Sequence, residues 1–244
     1  MMVNQQSNED MFPNIPRNDL SGIDDNDEIL LALLYLLEDF YEKYYTKSPN
    51  YILSHIDKDV EKLKKNMFDK LSSRSDEYIE DLEYNYMLSH NLTQDMQSRV
   101  QLEYDTKVTL EVTESTIIAI LEQFKQDVKT KALVWQDQGH NVDEFNIKAN
   151  YNRASKRLKD AVNYYTNTSR QKVTRAVMKY VYDDSTLYYW VCLGSNPCPW
   201  CIDNSKSAPR KIEDWELDHV NGHCTLVPKE ERYSDEYKKI MGEI

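Results

Sequence analysis

The stretch Ser48–Leu71, SPNYILSHIDKDVEKLKKNMFDKL, decides the fold class. Ile52, Ile56, Val60, Leu63, Met67 and Leu71 recur in steps of three or four. That spacing puts them on one face of an α-helix. Ser48 is a good capping residue, and Pro49 suits the first helical position, where a backbone N–H has no partner in any case. Tyr78, Leu82 and Tyr86 extend the stripe beyond Ser72-Ser73-Arg74-Ser75, which reads as a weak point. Upstream, Ile29–Leu37 (ILLALLYLL) is too apolar for a surface stripe. It is expected to be buried nearly all round, or to dock on a partner. Downstream, Thr93 is expected to cap the next helix, with Ile117, Leu121, Phe124 and Val128 as its stripe and Gly139 as its stop. A further helix is expected from about Asp143 to Tyr182, with a break near Thr166-Asn167-Thr168.

The texture then changes. Thr186-Leu187-Tyr188-Tyr189-Trp190-Val191-Cys192 is β-branched and aromatic and reads as a strand. Cys224-Thr225-Leu226-Val227-Pro228 reads as a second, short strand, and Glu236–Met241 as a last helical turn or two. The expected fold is mainly α: long helices followed by a small C-terminal α+β module with a Cys/His knuckle. Residues 1–26, with Pro13, Pro16, Gly22 and many Asn, Asp and Ser, read as a flexible arm. Residues 27–142 form the helical region and 143–244 the C-terminal domain.

Composition narrows the class. With 40% hydrophobic and 30% charged residues, a packed core and a wet surface are both attainable. Only 5 Gly and 7 Pro argue against a β-sandwich or a low-complexity chain. The 18 Tyr against 5 Phe suit helix seams and protein interfaces, because a tyrosine buries its ring and keeps a polar tip. No apolar run reaches the roughly 18 residues that span a membrane, and the N-terminus has no pattern of a secretory signal. Four cysteines do not make a disulfide scaffold, so clustered thiols in a reducing compartment point to metal.

Net charge is −12 but uneven. Residues 148–180 hold nine Lys or Arg and one acid, Asp160; the remainder holds 21 basic and 41 acidic residues. An acidic body with one basic helical stretch implies either internal pairing or a charged partner. Arg153, Lys156, Arg157, Arg170, Lys172 and Arg175 are the candidates for contact with DNA or a partner protein.

Three of the four cysteines and two of the five histidines fall within 27 residues, as Cys198-Pro199-Trp200-Cys201 and His219-Val220-Asn221-Gly222-His223-Cys224. Two residues between cysteines let both sulfurs reach one metal while backbone amides point at them. Cys198, Cys201, His219 and Cys224 are the expected ligands, with His223 and Cys192 as spares. Four protein ligands leave no open position, so the expected role of a zinc ion is structural. A redox dithiol and an unmetallated loop held by Trp190, Trp200 and Trp215 are the competing readings. Trp215–Val220 also resembles the start of an HNH nuclease motif, but beyond Cys224 the chain has no Asn or His to complete it.

Read together, these residues resemble the phage head morphogenesis (Mu F-like) minor head protein family. Its C-terminal domain typically runs from a basic helix to an aromatic strand and a CxxC knuckle, then a loop and a His-Pro-Asn-Cys-Arg-Cys-Thr segment. Here Tyr189-Trp190 lies in the strand, Cys198-Pro199-Trp200-Cys201 is the knuckle, and His219-Val220-Asn221-Gly222-His223-Cys224-Thr225 stands in the last position. Gly222 replaces the family's first Cys and His223 its Arg. The resemblance covers roughly residues 145–230. It implies a non-enzymatic virion protein at the portal vertex, inside or beside the capsid, whose partners are portal and capsid proteins and the packaged DNA. The alternatives are an HNH-like metal-dependent nuclease or toxin, and a cytoplasmic zinc-binding interaction module.

Overall fold

A computed structural model describes residues 28–89, 106–141, 145–192, 197–218 and 224–229; of residues 86–89 it describes the backbone only. Among these, five α-helices precede or interrupt one two-stranded antiparallel sheet. The helices are α1 (Glu28–Tyr45), α2 (Pro49–Ser89), α3 (Lys107–Asp137), α4 (Lys148–Val181) and the short α5 (Pro199–Ser205). The strands are β1 (Tyr188–Cys192) and β2 (Cys224–Pro228), and a 3₁₀ turn covers Ile212–Asp214. The fold is mainly α with a small C-terminal α+β module. The expected boundaries at 26/27 and 142/143, the cap at Thr93 and the turn at Glu236–Met241 lie outside the described residues.

The chain divides into two compact units, Met1–Ser75 with Glu114–Ala161, and Asp76–Thr113 with Val162–Ile244. In the first unit, four helical segments enclose a core. Leu30, Leu33 and Leu37 of α1, Ile52, Ile56, Val60, Met67 and Leu71 of α2, and Ile117, Leu121 and Val128 of α3 are all buried. Tyr151, Ala154 and Leu158 close it from α4. The α2 stripe is the one read from Ser48–Leu71, and Ser48 caps the helix as expected: its Oγ accepts the Tyr51 N–H at 3.3 Å. The apolar run of α1 is buried over one broad face only, since Tyr35 is exposed and Leu31 and Leu36 are half-buried.

Rings and ions fix the helices against each other in this unit. Phe40 meets Phe124 edge-on at 5.9 Å, and Tyr41 stacks on Tyr151 at 4.4 Å. The Tyr44 hydroxyl, fully buried, donates to Asp59 Oδ2 at 2.5 Å, and Lys43 pairs with the same oxygen. Lys64 pairs with Glu122, and Lys129 Nζ reaches Asp57 at 2.8 Å. Helix α3 ends where Gly139 was expected to stop it: Gly139 adopts φ +66° and donates its N–H to the Gln136 carbonyl at 3.1 Å.

Two expected weak points are continuous helix. At Ser72–Ser75 the backbone stays α-helical, and the Ser75 hydroxyl, buried, folds back onto the Leu71 carbonyl at 2.5 Å. At Thr166–Thr168 the Thr166 hydroxyl likewise bonds the Val162 carbonyl at 3.2 Å. A hydroxyl that bonds four residues back satisfies itself without opening the turn, and both helices continue through these sites.

In the second unit, Val162, Tyr165, Val173 and Val177 of α4 are buried. Tyr78 of α2 donates its hydroxyl to the Thr166 carbonyl at 3.0 Å. The C-terminal module then follows α4. Strand β1 pairs with β2 so that Tyr188 faces Pro228, Trp190 faces Leu226 and Cys192 faces Cys224. Alternation along a strand sends Tyr188, Trp190 and Cys192 to one side, with Leu226 and Cys224 beside them. That side packs with Met178, Cys201, Ile212 and Trp215 into one apolar cluster, against which Cys198 also rests.

Candidate metal centre

The module builds its site from two turns and the end of a strand. Cys198 is the N-cap of α5: extended backbone (φ −70°, ψ 161°) turns its sulfur back to accept the Cys201 N–H at 3.4 Å. Pro199 occupies the first turn, where a missing N–H costs nothing. This is the amide-to-sulfur contact expected of a knuckle. Cys224 enters from the start of β2. Asp218 enters from the segment after Trp215: its backbone N–H donates to Gln171 Oε1 of α4 at 2.6 Å. Its Oδ2 accepts the Cys224 N–H at 2.9 Å, and its Oδ1 accepts from the Cys201 thiol at 3.4 Å.

Cys201 Sγ, Cys224 Sγ and an Asp218 carboxylate oxygen lie within 4.8 Å of one another, and all three residues are buried. The thiol of Cys198 also contacts that of Cys201, and the thiol of Cys192 contacts that of Cys224. Cys192 donates in addition to the Cys201 carbonyl at 3.3 Å. All four cysteines are free thiols. Burial pushes the Cys201 and Cys224 thiols up, and the neighbouring Asp218 charge adds to the effect in both. The donors fit a metal ion: around a tetrahedral ion with bonds of about 2.3 Å, sulfur–sulfur edges are about 3.8 Å, so a set within 4.8 Å needs little contraction. A dication would also replace the thiol protons that burial otherwise retains.

The surroundings hold the segment in place. Trp190 contacts Trp200 edge-on at 5.2 Å and Trp215 at 5.7 Å. Trp215 Nε1 donates to the Tyr188 carbonyl at 3.0 Å, and the Arg210 guanidinium lies over the Trp215 ring at 4.7 Å. Arg175 of α4 reaches across with Nη1 on the Trp215 carbonyl at 2.6 Å and Nη2 on the Glu216 carbonyl at 2.5 Å.

Of the four ligands expected from sequence, Cys201 and Cys224 lie in this cluster, Cys198 reaches it only through the Cys201 thiol, and His219 and the spare His223 lie outside the described residues. Asp218 was missed as a donor; its signal was its place directly before His219, between a Trp-bearing turn and a Cys-bearing strand. Three of the six basic candidates for DNA or partner contact have internal tasks. Arg153 pairs with Asp127 at 2.9 Å, Lys172 donates to Thr109 Oγ1 at 2.8 Å, and Arg175 grips the two carbonyls. Lys156 and Arg157 are exposed on α4, and Arg170 is half-buried.

No family model matches the chain, and comparison with curated proteins and with solved structures gives no significant match. None of the described helices is long and apolar enough to cross a membrane.

Proposed function

We propose that this chain is a minor head protein of a tailed phage, acting at or near the portal vertex in head assembly, with a C-terminal module pinned by a structural zinc ion. One observation carries the reading. The Cys201 thiol contacts those of Cys198 and Cys224, beside an aromatic strand that follows a basic helix, in the order that the Mu F-like resemblance implies. Zinc is the ion that suits mixed thiolate and carboxylate donors in a reducing compartment. A site closed by protein donors holds the fold and carries out no turnover, so the chain is read as a structural protein and not an enzyme. Lys156, Arg157 and Arg170 are the side chains of α4 that this reading assigns to packaged DNA or an acidic portal surface, because Arg153, Lys172 and Arg175 are engaged within the chain.

Quantitative mass spectrometry of purified, DNA-filled particles, scaled to the major capsid protein, tests the assignment. A handful to some tens of copies per particle is the expected result. Absence from particles overturns it and leaves a metal-dependent nuclease or a cytoplasmic zinc-binding module to be assayed.

A further inference from the structure

The resemblance and the spacing of Cys and His residues assign the fourth ligand to His219. The geometry offers a donor directly before it: we propose that Asp218 is itself a ligand, so that the metal is held by Cys201, Cys224 and one carboxylate oxygen of Asp218, which lie within 4.8 Å of one another, with Cys198, whose thiol contacts that of Cys201, closing in as the fourth donor. This rests on the reading that the site binds zinc, and goes beyond it by fixing the donor set.

Three independent contacts aim the Asp218 carboxylate into the cluster. The Gln171 amide oxygen holds its backbone N–H at 2.6 Å, which anchors the residue to α4. The Cys224 N–H at 2.9 Å fixes Oδ2. That leaves Oδ1 toward Cys201 Sγ at 3.4 Å, within the group of donor atoms that lie inside 4.8 Å of one another. A carboxylate that binds a metal through one oxygen and accepts a backbone N–H on the other has both oxygens used, as ligating carboxylates usually do. Asp218 is 8% exposed, so its carboxylate sits largely out of solvent.

Charge is the objection to this set. Three thiolates and a carboxylate leave two net negative charges on a zinc site, one more than a set with a neutral imidazole. The structure supplies offsets. The Cys201 N–H points at Cys198 Sγ, the Cys224 N–H at Asp218, and the half-buried Arg175 guanidinium is held on the carbonyls of Trp215 and Glu216, three and two residues before the carboxylate. Cys192 has a different task. Lying opposite Cys224 across the sheet, it donates to the Cys201 carbonyl and braces the knuckle from outside the donor set.

The experiment uses the full chain loaded with zinc and three variants: Asp218→Asn, His219→Ala and Cys192→Ser. Competition with a chromophoric chelator gives each affinity. Removing an outer-shell partner of a metal site usually costs about 10–100-fold in affinity. Asp218→Asn is therefore expected to lose more than about 100-fold, and His219→Ala and Cys192→Ser less than about tenfold. X-ray absorption at the zinc edge of the unmutated protein does not depend on any variant folding. It is expected to show three sulfurs at about 2.3 Å and one oxygen at about 2.0–2.2 Å, without the outer-shell scattering of an imidazole ring. Imidazole scattering, or loss of zinc in His219→Ala with near-normal affinity in Asp218→Asn, would overturn the proposal while leaving the zinc site intact. Failure of the unmutated chain to bind one equivalent of zinc would overturn both the donor set and the zinc reading.

Discussion

Replacing Tyr44 by Phe tests how α1 is fixed to α2. The ring is fully buried and its hydroxyl donates to Asp59 Oδ2 at 2.5 Å, beside the Lys43 ammonium on the same oxygen. A hydrogen bond to a charged group contributes about 1.5–3 kcal/mol. Asp59 keeps Lys43 after the change, and Phe has no hydroxyl to bury, so the net loss is placed at the lower end, about 1–2 kcal/mol near neutral pH. With a urea slope of about 2 kcal/mol/M, the midpoint followed by circular dichroism falls by about 0.5–1 M. The loss depends on pH with a definite sign. Burial works to raise the Asp59 carboxyl, but the Lys43 and Tyr44 hydrogen bonds outweigh it and hold the group below the usual carboxylate range. Its contribution is therefore complete above the ordinary carboxylate pKa of about 3.9 and is lost as pH falls through the lower folded value. The gap between wild type and Tyr44→Phe is expected to be constant from pH 7 to about 4 and to close in more acid solution. An unchanged midpoint at pH 7, or a gap that persists at the acid end, refutes the reasoning.

Three further outcomes are expected. Chelation of a zinc-loaded sample should change tryptophan emission strongly while helical circular dichroism largely remains, because Trp190, Trp200 and Trp215 pack together in the module and the first unit has its own apolar core of helical residues; a parallel loss of both signals would contradict this. Arg175→Lys should destabilise the module by about 1–2 kcal/mol, read from the same emission, since one ammonium cannot reproduce a fork that reaches the Trp215 and Glu216 carbonyls together; the Lys156→Glu and Arg157→Glu pair, on exposed positions, should leave that midpoint unchanged. Gly139→Ala should lower thermal stability by about 1 kcal/mol, because its φ of +66° is costly for any residue with a Cβ even though no atom lies within 4 Å of the site; a neutral result would show that the turn can relax.

The long helices were legible because their signal is local. A period of 3.6 residues is written directly in Ile52, Ile56, Val60, Leu63, Met67 and Leu71, and these are the residues found buried. The two strands were legible for the same reason, as short β-branched and aromatic runs, and β2 has the bounds read from sequence. The misplaced breaks at Ser72–Ser75 and Thr166–Thr168 show the limit of local reasoning. Hydroxyl residues lower helix propensity on average, but tertiary burial of Ser75 and Thr168 decides the matter at these positions.

The site was half legible, and the missing half depends on partners distant in sequence. Cysteines announce themselves by rarity and spacing, so Cys198, Cys201 and Cys224 could be grouped from the chain alone. Asp218 is one of 42 acidic residues, and its place directly before His219 is the one local mark that separates it from the rest. The other marks are a glutamine on α4, 47 residues away, and a backbone amide six residues on. The basic stretch follows the same logic in reverse. Arg153, Lys172 and Arg175 look like surface charge beside Lys156 and Arg157, yet their acceptors are Asp127, Thr109 and two carbonyls that only the fold supplies. Of the two readings of that stretch, internal pairing therefore accounts for half of the six candidates. Of those six, the exposed Lys156 and Arg157 and the half-buried Arg170 are the ones left to a docking of DNA or an acidic partner on α4.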